Sequence, residues 1–232
     1  MRLLLLLLFS FPLPSVSQTW KAGDDLLWTR YLNTWSISSR YTWVNELDNR
    51  VTTDLDRRAQ TIFHSHLHRI VSPKQELVLG MSASHVQKKD GKSVLEIPEL
   101  RLFEEWIYRF PIQKRHTLQS KIRVDQRFFL PSEAIDRGLL PEFQVRFRYQ
   151  AQYRVQLPNH WAWRISNEWM AHAPATWVFD QNRVATSLEM PISPSVMVEG
   201  GYIWLLSQGN SQRISTDVFR LTLHHRIQKK GS

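Results

Sequence analysis

Apolar and polar residues alternate one by one along residues 143–157, which read FQVRFRYQAQYRVQL. Apolar side chains occupy every second position, and arginine or glutamine occupies the positions between them. A period of two is typical of a β-strand with one apolar and one polar face. The same pattern recurs in eleven segments, and we predict a strand in each: 26–35, 40–51, 57–71, 75–87, 95–110, 116–130, 143–157, 161–172, 177–190, 196–206 and 213–227.

The segments between the predicted strands are rich in proline, glycine and serine, which are typical of turns. Short turns, such as residues 72–74, alternate with longer connections. The predicted longer connections are residues 52–56, 88–93, 131–142, 173–176 and 207–212. Tight turns at one end and longer loops at the other are typical of an outer-membrane β-barrel.

The alternation alone also fits a soluble sandwich, whose strands bury one face on a core. However, predicted strands such as 143–157 span fifteen residues, whereas strands of soluble sheets usually have about 5–6. The chain also carries ten tryptophans, and aromatic side chains of this kind form girdles at membrane interfaces. We therefore predict an all-β fold, a single antiparallel up-and-down transmembrane β-barrel of 10–12 strands. Twelve strands are favoured because bacterial single-chain barrels have even numbers.

The start of the chain has the composition of an export signal. Arg2 precedes an apolar run over residues 3–9, and a small-x-small sequence follows at residues 15–17. This arrangement is typical of a secretory signal peptide. We predict a cleaved signal peptide at residues 1–17 and one barrel domain at residues 18–232, located in the bacterial outer membrane. The lack of cysteine argues against a small disulfide-stapled domain.

The formal net charge is +9, which raises the question of a nucleic-acid partner. The basic residues are spread through the alternating strands and interleave with acidic ones instead of forming one patch. Nucleic-acid-binding proteins instead cluster their basic residues on one face, so we predict no nucleic-acid partner. The expected partners are outer-membrane lipid, the barrel-assembly machinery with periplasmic chaperones in transit, and small anions.

If the apolar faces contact lipid, the charged residues must point into the barrel. An arginine or lysine facing the middle of a bilayer costs about 2–4 kcal/mol. This sorting leaves Glu104 on the outer face, and it predicts an interior charge network of Glu46, Arg50, Arg58, Arg101, Glu105, Arg109, Arg123, Arg127, Arg146, Arg148, Arg154, Arg164, Glu168, Arg183 and Arg220. Two interpretations remain open. Arginines and carboxylates pair into a closed interior, or excess arginines line a narrow pore or pocket that favours anions.

A histidine-rich segment raises the possibility of a metal site. His64, His66 and His68 fall on one strand face about 6.5–7 Å apart in succession, and His224 on the last strand adds a candidate if the barrel closes. No aspartate, glutamate or cysteine is placed by local spacing to complete such a site. We predict no metal and no cofactor, with these four histidines as the candidates if a metal does bind.

Two alternative functions belong to other classes. One is an outer-membrane enzyme acting on lipids, and the other is a soluble periplasmic β-protein that binds an anionic ligand. Serines and histidines are plentiful, but no G-x-S-x-G motif occurs in the sequence. The adjacent carboxylates Glu104 and Glu105 point to opposite faces of a strand and cannot act on one bond. We predict no catalytic residue.

Several segments occur in an order and spacing that resemble a known family. They are LWTRYLNTW (27–35), LFEEWIYRFPIQKRHTLQSKIRVDQRF (102–128), VRFRYQAQYRVQL (145–157), RISNEWM (164–170), FDQNRV (179–184) and VEGGYIW (198–204). From about Trp28 to Ile227 the chain is similar to an uncharacterised family of bacterial proteins. This family is a domain of unknown function whose members are interpreted as outer-membrane β-barrels. The resemblance implies that location and that fold, and it implies no activity because the family has none assigned.

Overall fold

The computed structural model describes residues 20–53, 58–90, 93–173, 178–208 and 213–227. They form twelve strands, a one-turn helix α1 and a short 3-10 turn at Pro158–His160. The strands are β1 (Trp20–Ala22), β2 (Leu26–Ser36), β3 (Tyr41–Thr52), β4 (Arg58–Ser72), β5 (Gln75–Asp90), β6 (Ser93–Gln113), β7 (His116–Phe129), β8 (Phe143–Gln156), β9 (Ala162–Ala173), β10 (Val178–Pro191), β11 (Val196–Gln208) and β12 (Arg213–Ile227), and α1 is Glu133–Asp136. Among these residues, no helix has the length and apolar character needed to span a membrane. The predicted signal peptide, residues 1–17, lies outside the described residues.

The strands close into a barrel. Each strand from β2 to β12 pairs with its neighbours in chain order, and all of these pairings are antiparallel. The ring is completed by a parallel pairing between β12 and β2, which runs from Val218 opposite Leu26 to Ile227 opposite Trp35. Closure removes the exposed strand edges that an open sheet would present. The predicted all-β, single-barrel fold is confirmed.

The ring consists of eleven long strands, which correspond to the eleven segments of the sequence pattern. The short β1 pairs with β12 in parallel, with Trp20 opposite Arg213. β1 and β2 pair with the same edge of β12, one after the other along it. β1 therefore adds no further strand to the ring. The strand number falls in the predicted range, but the ring itself is odd. The parallel seam between β12 and β2 is what allows an odd ring to close.

One predicted connection proves to be part of a hairpin. The sequence pattern assigned residues 88–93 to a longer connection, which is wrong. The β5–β6 ladder continues through Lys88 opposite Leu95 to Asp90 opposite Ser93. The charged and polar residues Lys88, Lys89, Asp90 and Ser93 obscured the strand pattern there, although backbone pairing does not require apolar side chains.

The connection between β7 and β8 folds back over one mouth of the barrel. Ala134 of α1 is fully buried against Ile97 and Phe129, and Ile135, Val86 and Leu140 pack around this cluster. Val86 also lines the interior cavity, so α1 sits on inward-facing side chains. This connection therefore covers part of the mouth at its end of the barrel.

Candidate functional site

Among the described residues, every strand from β2 to β12 except β4 contributes arginine, lysine or carboxylate side chains to a network of ion pairs inside the barrel. Within the described ranges, thirteen cations and ten carboxylates take part. The cations are Arg30, Arg50, Arg101, Arg109, Lys121, Arg123, Arg127, Arg146, Arg148, Arg154, Arg164, Arg183 and Arg220. The carboxylates are Glu46, Asp48, Glu76, Glu99, Glu105, Asp125, Glu168, Asp180, Glu189 and Glu199. The described network therefore carries an excess of positive charge.

Strand register creates several of the strongest pairs. Asp125 on β7 lies directly opposite Arg146 on β8, and Arg146 Nε donates to Asp125 Oδ2 at 3.0 Å. Asp125 has no exposed surface, and its other oxygen accepts a bond from Arg123 Nε at 2.6 Å. Arg123 also donates to Glu105 at 2.9 Å, directly across the β6–β7 pair. Facing positions on adjacent strands thus bring opposite charges within hydrogen-bonding distance.

Glu99 on β6 binds two arginines at once. Arg101 donates from Nε and Nη2 at 2.5 and 2.7 Å, and Arg127 donates from Nε and Nη2 at 2.6 and 3.1 Å. Both are two-point contacts, which planar guanidinium groups make well with carboxylates. Ser84 adds a longer contact at 3.4 Å. The carboxylate is therefore saturated with donors.

A second saturated carboxylate lies on the opposite wall. Glu199 on β11 pairs with Arg164, with Arg220 at 2.7 Å and with His224 at 3.1 Å. Glu189 on β10 accepts from Arg154 at 2.8 Å and lies 3.1 Å from Arg164. Arg164 therefore links the two carboxylates into one chain of charges.

The histidine-rich segment joins this network. His66 Nε2 lies 3.0 Å from Glu46, and His66 Nδ1 lies 2.7 Å from His68 Nε2. His68 in turn contacts Glu76, and Arg109 reaches Glu76 at 2.6 Å. The result is a continuous hydrogen-bonded chain along the inner wall. The ring nitrogens of His66 and His68 are thus engaged by carboxylates and by each other.

Of the four histidines named as metal candidates, only His66 and His68 contact each other. His64, His66 and His68 line the cavity from β4, and His224 lines it from β12. Among the described residues, no group of three or more histidine, aspartate or glutamate side chains has metal-binding geometry. His224 is instead paired with Glu199.

A cavity of about 530 Å³ lies among these inward side chains. Eleven of its lining residues are arginine or lysine, and four are glutamate. The other six carboxylates of the network do not line the cavity. The surface that faces the cavity is therefore more positive than the network as a whole.

Two arginines of this lining are neutralised less than its other arginines. Arg50 Cζ lies 3.9 Å from the centroid of the Trp28 ring, and Arg183 Cζ lies 5.3 Å from the same centroid. The nearest carboxylate oxygens among the described residues are 3.5 Å from Arg50 and 3.7 Å from Arg183. Both arginines make their short bonds to neutral amides instead, at 2.7 Å to Gln60 and 2.7 Å to Gln181 respectively.

The remaining arginines of the sequence-predicted network are placed as follows. Arg148 donates to Glu168 at 2.6 Å, and Arg154 is paired with Glu189. Arg109 lies at the end of β6 that leads into the short turn to β7, with Glu76 as its partner. Arg58 opens β4, but its side chain lies outside the part of the chain that the structure describes. Glu104 lies on the outer surface, where Gln126 donates to it at 3.1 Å.

The alternation also places Asp48, Glu99, Lys121, Asp125 and Glu189 on the inner face, whereas four charged residues of the network were missed: Arg30, Glu76, Asp180 and Glu199. Asp180 lies at the register shift between Phe179 and Gln181. Glu76 falls between Gln75 and Leu77 at the start of its strand, where alternation has barely begun. Arg30 and Glu199 lie on strands whose inner faces also carry apolar residues, including Trp28 and Ile203. Because those inner faces are mixed, alternation alone assigns them weakly. Tyr31 and Tyr202 face outward, and counting the alternation from each of them places Arg30 and Glu199 on the inner face.

Comparison with known proteins identifies a family and no characterised relative. The chain matches no curated protein and no solved structure. The family model described as "Protein of unknown function (DUF2490)" matches residues 26–216, which extend from the start of β2 into β12. The charged barrel described above therefore belongs to the DUF2490 family of proteins of unknown function.

Proposed function

We propose that this protein is an integral outer-membrane β-barrel. The observation that carries the proposal is the apolar outer surface of the barrel, combined with its charged interior. Leucine, methionine and phenylalanine side chains point outward from strands around the barrel, with Leu47 49 %, Leu79 63 %, Met81 56 % and Phe219 54 % exposed. A soluble protein rarely exposes such a continuous apolar surface. In a bilayer the same surface would contact lipid tails.

Aromatic side chains mark the end of the barrel that carries the short turns. Trp35 on β2 lies opposite Trp43 on β3, and both rings are exposed. Trp106 on β6 and Trp161 and Trp163 around the start of β9 are also exposed on the outer face at this end. Tryptophan and tyrosine are enriched at the membrane–water interface. This ring of aromatics fits the boundary of a bilayer.

Polar groups on the outer surface satisfy one another. Trp43 Nε1 donates to Ser65 at 3.0 Å, and Ser65 donates to Asn45 at 2.9 Å. Further around the barrel, Asn182 donates to Asn167 at 3.0 Å. Unsatisfied polar groups are costly in hydrocarbon, so this pairing supports a lipid-facing surface.

Localisation and heat-modifiable gel mobility test this proposal together. We expect the full-length chain, expressed in a Gram-negative host, to fractionate with outer membranes. It should also migrate faster in unheated than in boiled detergent gels, because a closed barrel stays compact until heated. Recovery of a soluble periplasmic monomer would refute the membrane proposal and leave a soluble barrel. Membrane association requires passage through the assembly machinery and its chaperones, so depletion of that machinery should abolish the compact form.

For the interior, we propose a closed, rigid scaffold as the resting state. Carboxylates such as Asp125, Glu99 and Glu199 each hold two or more cations, at least one of them from another strand, and α1 covers part of one mouth. Long side chains leave little free lumen in a barrel of this size. Held in this way, the guanidinium groups brace the wall and obstruct the axis.

A narrow anion-preferring path is the second candidate, favoured by the positive cavity lining. Planar-bilayer recording separates the two. The closed scaffold predicts no discrete current steps for the wild type. If α1 is the main obstruction, replacing residues 131–142 by a short Gly-Ser turn should produce such steps. Stable wild-type steps with chloride preferred over potassium would establish the anion path instead. Boiled protein added in the same detergent controls for leak.

A further inference from the structure

We infer that the cavity contains a binding site for a phosphate-type oxyanion between Arg50 and Arg183, beside Trp28. The inference concerns the interior alone and holds whether or not the barrel resides in a membrane. It also goes beyond a scaffold, because it gives the interior a ligand. The chemical class is a tetrahedral oxyanion with at least two negative charges, either free or as part of a larger solute.

The first argument is incomplete neutralisation. Arg101, Arg127 and Arg148 each have a carboxylate oxygen within 2.7 Å. Arg50 and Arg183 have theirs only at 3.5 and 3.7 Å. Arginine stays charged at any physiological pH, so the two guanidinium groups retain charge that the described protein groups neutralise poorly.

The second argument is mutual repulsion. Arg183 interacts with the carboxylate of Glu168 but also with three like charges, Arg50, Arg146 and Arg148. Arg50 interacts with Asp48 but also with Arg30 and Arg101. Crowding of like charges in a poorly hydrated interior is unfavourable. A bound dianion would offset this repulsion, whereas a neutral solute would not.

The third argument is the set of hydrogen-bond donors without acceptors. Arg50 Nε, Arg183 Nε and Trp28 Nε1 have no hydrogen-bond partner among the described residues. Trp28 is 5 % exposed, so its indole N–H is buried as well as unpartnered. A buried donor without a partner is costly, and native proteins leave few such groups. An oxyanion supplies several strong acceptor oxygens, which fit this arrangement.

The size of the cavity sets the range of ligands. Its volume of about 530 Å³ is within the range of small-molecule sites and exceeds the need of one inorganic phosphate. Trp28 and Ile203 line the cavity and pack against Leu205 and Val218 behind them, so they form an apolar wall beside the two arginines. A phosphate monoester with a small organic group could therefore place its charge on the arginines and its carbon atoms on this wall.

Isothermal titration calorimetry on the folded, detergent-solubilised full chain tests the site. The probes are inorganic phosphate, glycerol 3-phosphate and chloride. We expect saturable binding of both phosphates and no binding of chloride at the same ionic strength. Stronger binding of glycerol 3-phosphate identifies a phosphorylated solute as the ligand, whereas equal binding identifies free phosphate. A chloride isotherm equal to that of phosphate would overturn the inference, because a diffuse positive lining would then suffice.

Two substitutions locate the site. The double variant Arg50→Gln and Arg183→Gln should bind phosphate at least about tenfold more weakly, because it loses two charge-assisted contacts with the anion. Arg154→Gln removes a paired arginine that does not line the cavity, and it should bind phosphate as the wild type does. Unchanged binding in the double variant, or equal loss in Arg154→Gln, would contradict the assignment.

Trp28→Phe provides a readout that does not depend on the arginines. It keeps an aromatic ring against Arg50 but deletes the indole N–H. Phosphate should alter the tryptophan fluorescence of the wild type, and most of that change should vanish in Trp28→Phe. If the double arginine variant fails to fold, a full fluorescence response in Trp28→Phe would overturn the inference by itself. Because all these measurements use purified protein, they can fail while the localisation experiment succeeds, and the reverse is also possible.

Discussion

Asp125→Asn should lower the free energy of unfolding by about 3–5 kcal/mol. The substitution keeps the size of the side chain but removes its charge, which leaves Arg123 and Arg146 buried without their shared carboxylate. Breaking a buried ion pair from one side is costly because the remaining charge stays desolvated. Urea unfolding of the barrel in detergent or lipid, followed by tryptophan fluorescence, measures the change.

Two further variants show whether the loss comes from the buried charges. Adding Arg146→Gln to Asp125→Asn should recover part of the lost stability, because one of the stranded cations is removed, and a double-mutant cycle gives the coupling. Glu133→Gln deletes an exposed carboxylate that pairs with Arg137 at 3.3 Å, and it should change stability by less than about 1 kcal/mol. A loss below about 1 kcal/mol in Asp125→Asn would show that water reaches this carboxylate and that the interior is not closed.

Leu47→Arg should destabilise the barrel in lipid vesicles by about 2–4 kcal/mol. Leu47 lies in the middle of β3 and points outward between Tyr31 and Phe63 on the neighbouring strands. Its near neighbours on that face are Asn45 and Asn49, so a new arginine would meet no carboxylate there. The cost is the transfer of an unpaired cation into the hydrocarbon core. Unfolding in vesicles, followed by tryptophan fluorescence, measures it.

Leu139→Arg is the matched control. Leu139 is 53 % exposed, similar to the 49 % of Leu47, but it lies in the connection after α1 instead of on a strand. Its substitution should change stability by no more than about 0.5 kcal/mol, as is usual for surface positions. Equal and small effects at both positions would show that the outer surface faces water, and they would contradict the proposed membrane location.

The direction in which a side chain points could be predicted from sequence, because a strand has only two faces. The alternation in residues 143–157 places Arg146, Arg148 and Arg154 on the face opposite Phe143, and all three have inner carboxylate partners in the structure. Strand bounds follow from the same pattern wherever apolar residues continue to the turn. The pattern misses the end of a strand where both faces are polar, as at residues 88–93. It also fails to identify inward charges where the inner face is partly apolar, as around Ile203.

The partners of each charge could not be predicted, because they depend on register and on barrel closure. Nothing local in the sequence indicates that Asp125 lies opposite Arg146 or that Glu199 collects Arg164, Arg220 and His224. Closure also brings Arg50 of β3 and Arg183 of β10 to the same tryptophan, although they are far apart in the chain. The poorly neutralised pair is therefore a property of the closed ring and not of any segment.

The parallel seam between β12 and β2 has a consequence for how such a ring would enter a bilayer. Ten antiparallel strands can insert as five hairpins, and both ends of each hairpin stay on the same side of the bilayer. The eleventh cannot belong to a hairpin, so one strand must carry its free end across the bilayer alone. In the proposed membrane location, the beginning of β2 and the end of β12 would therefore open to different compartments, and reporters fused at these two points would report opposite sides of the membrane.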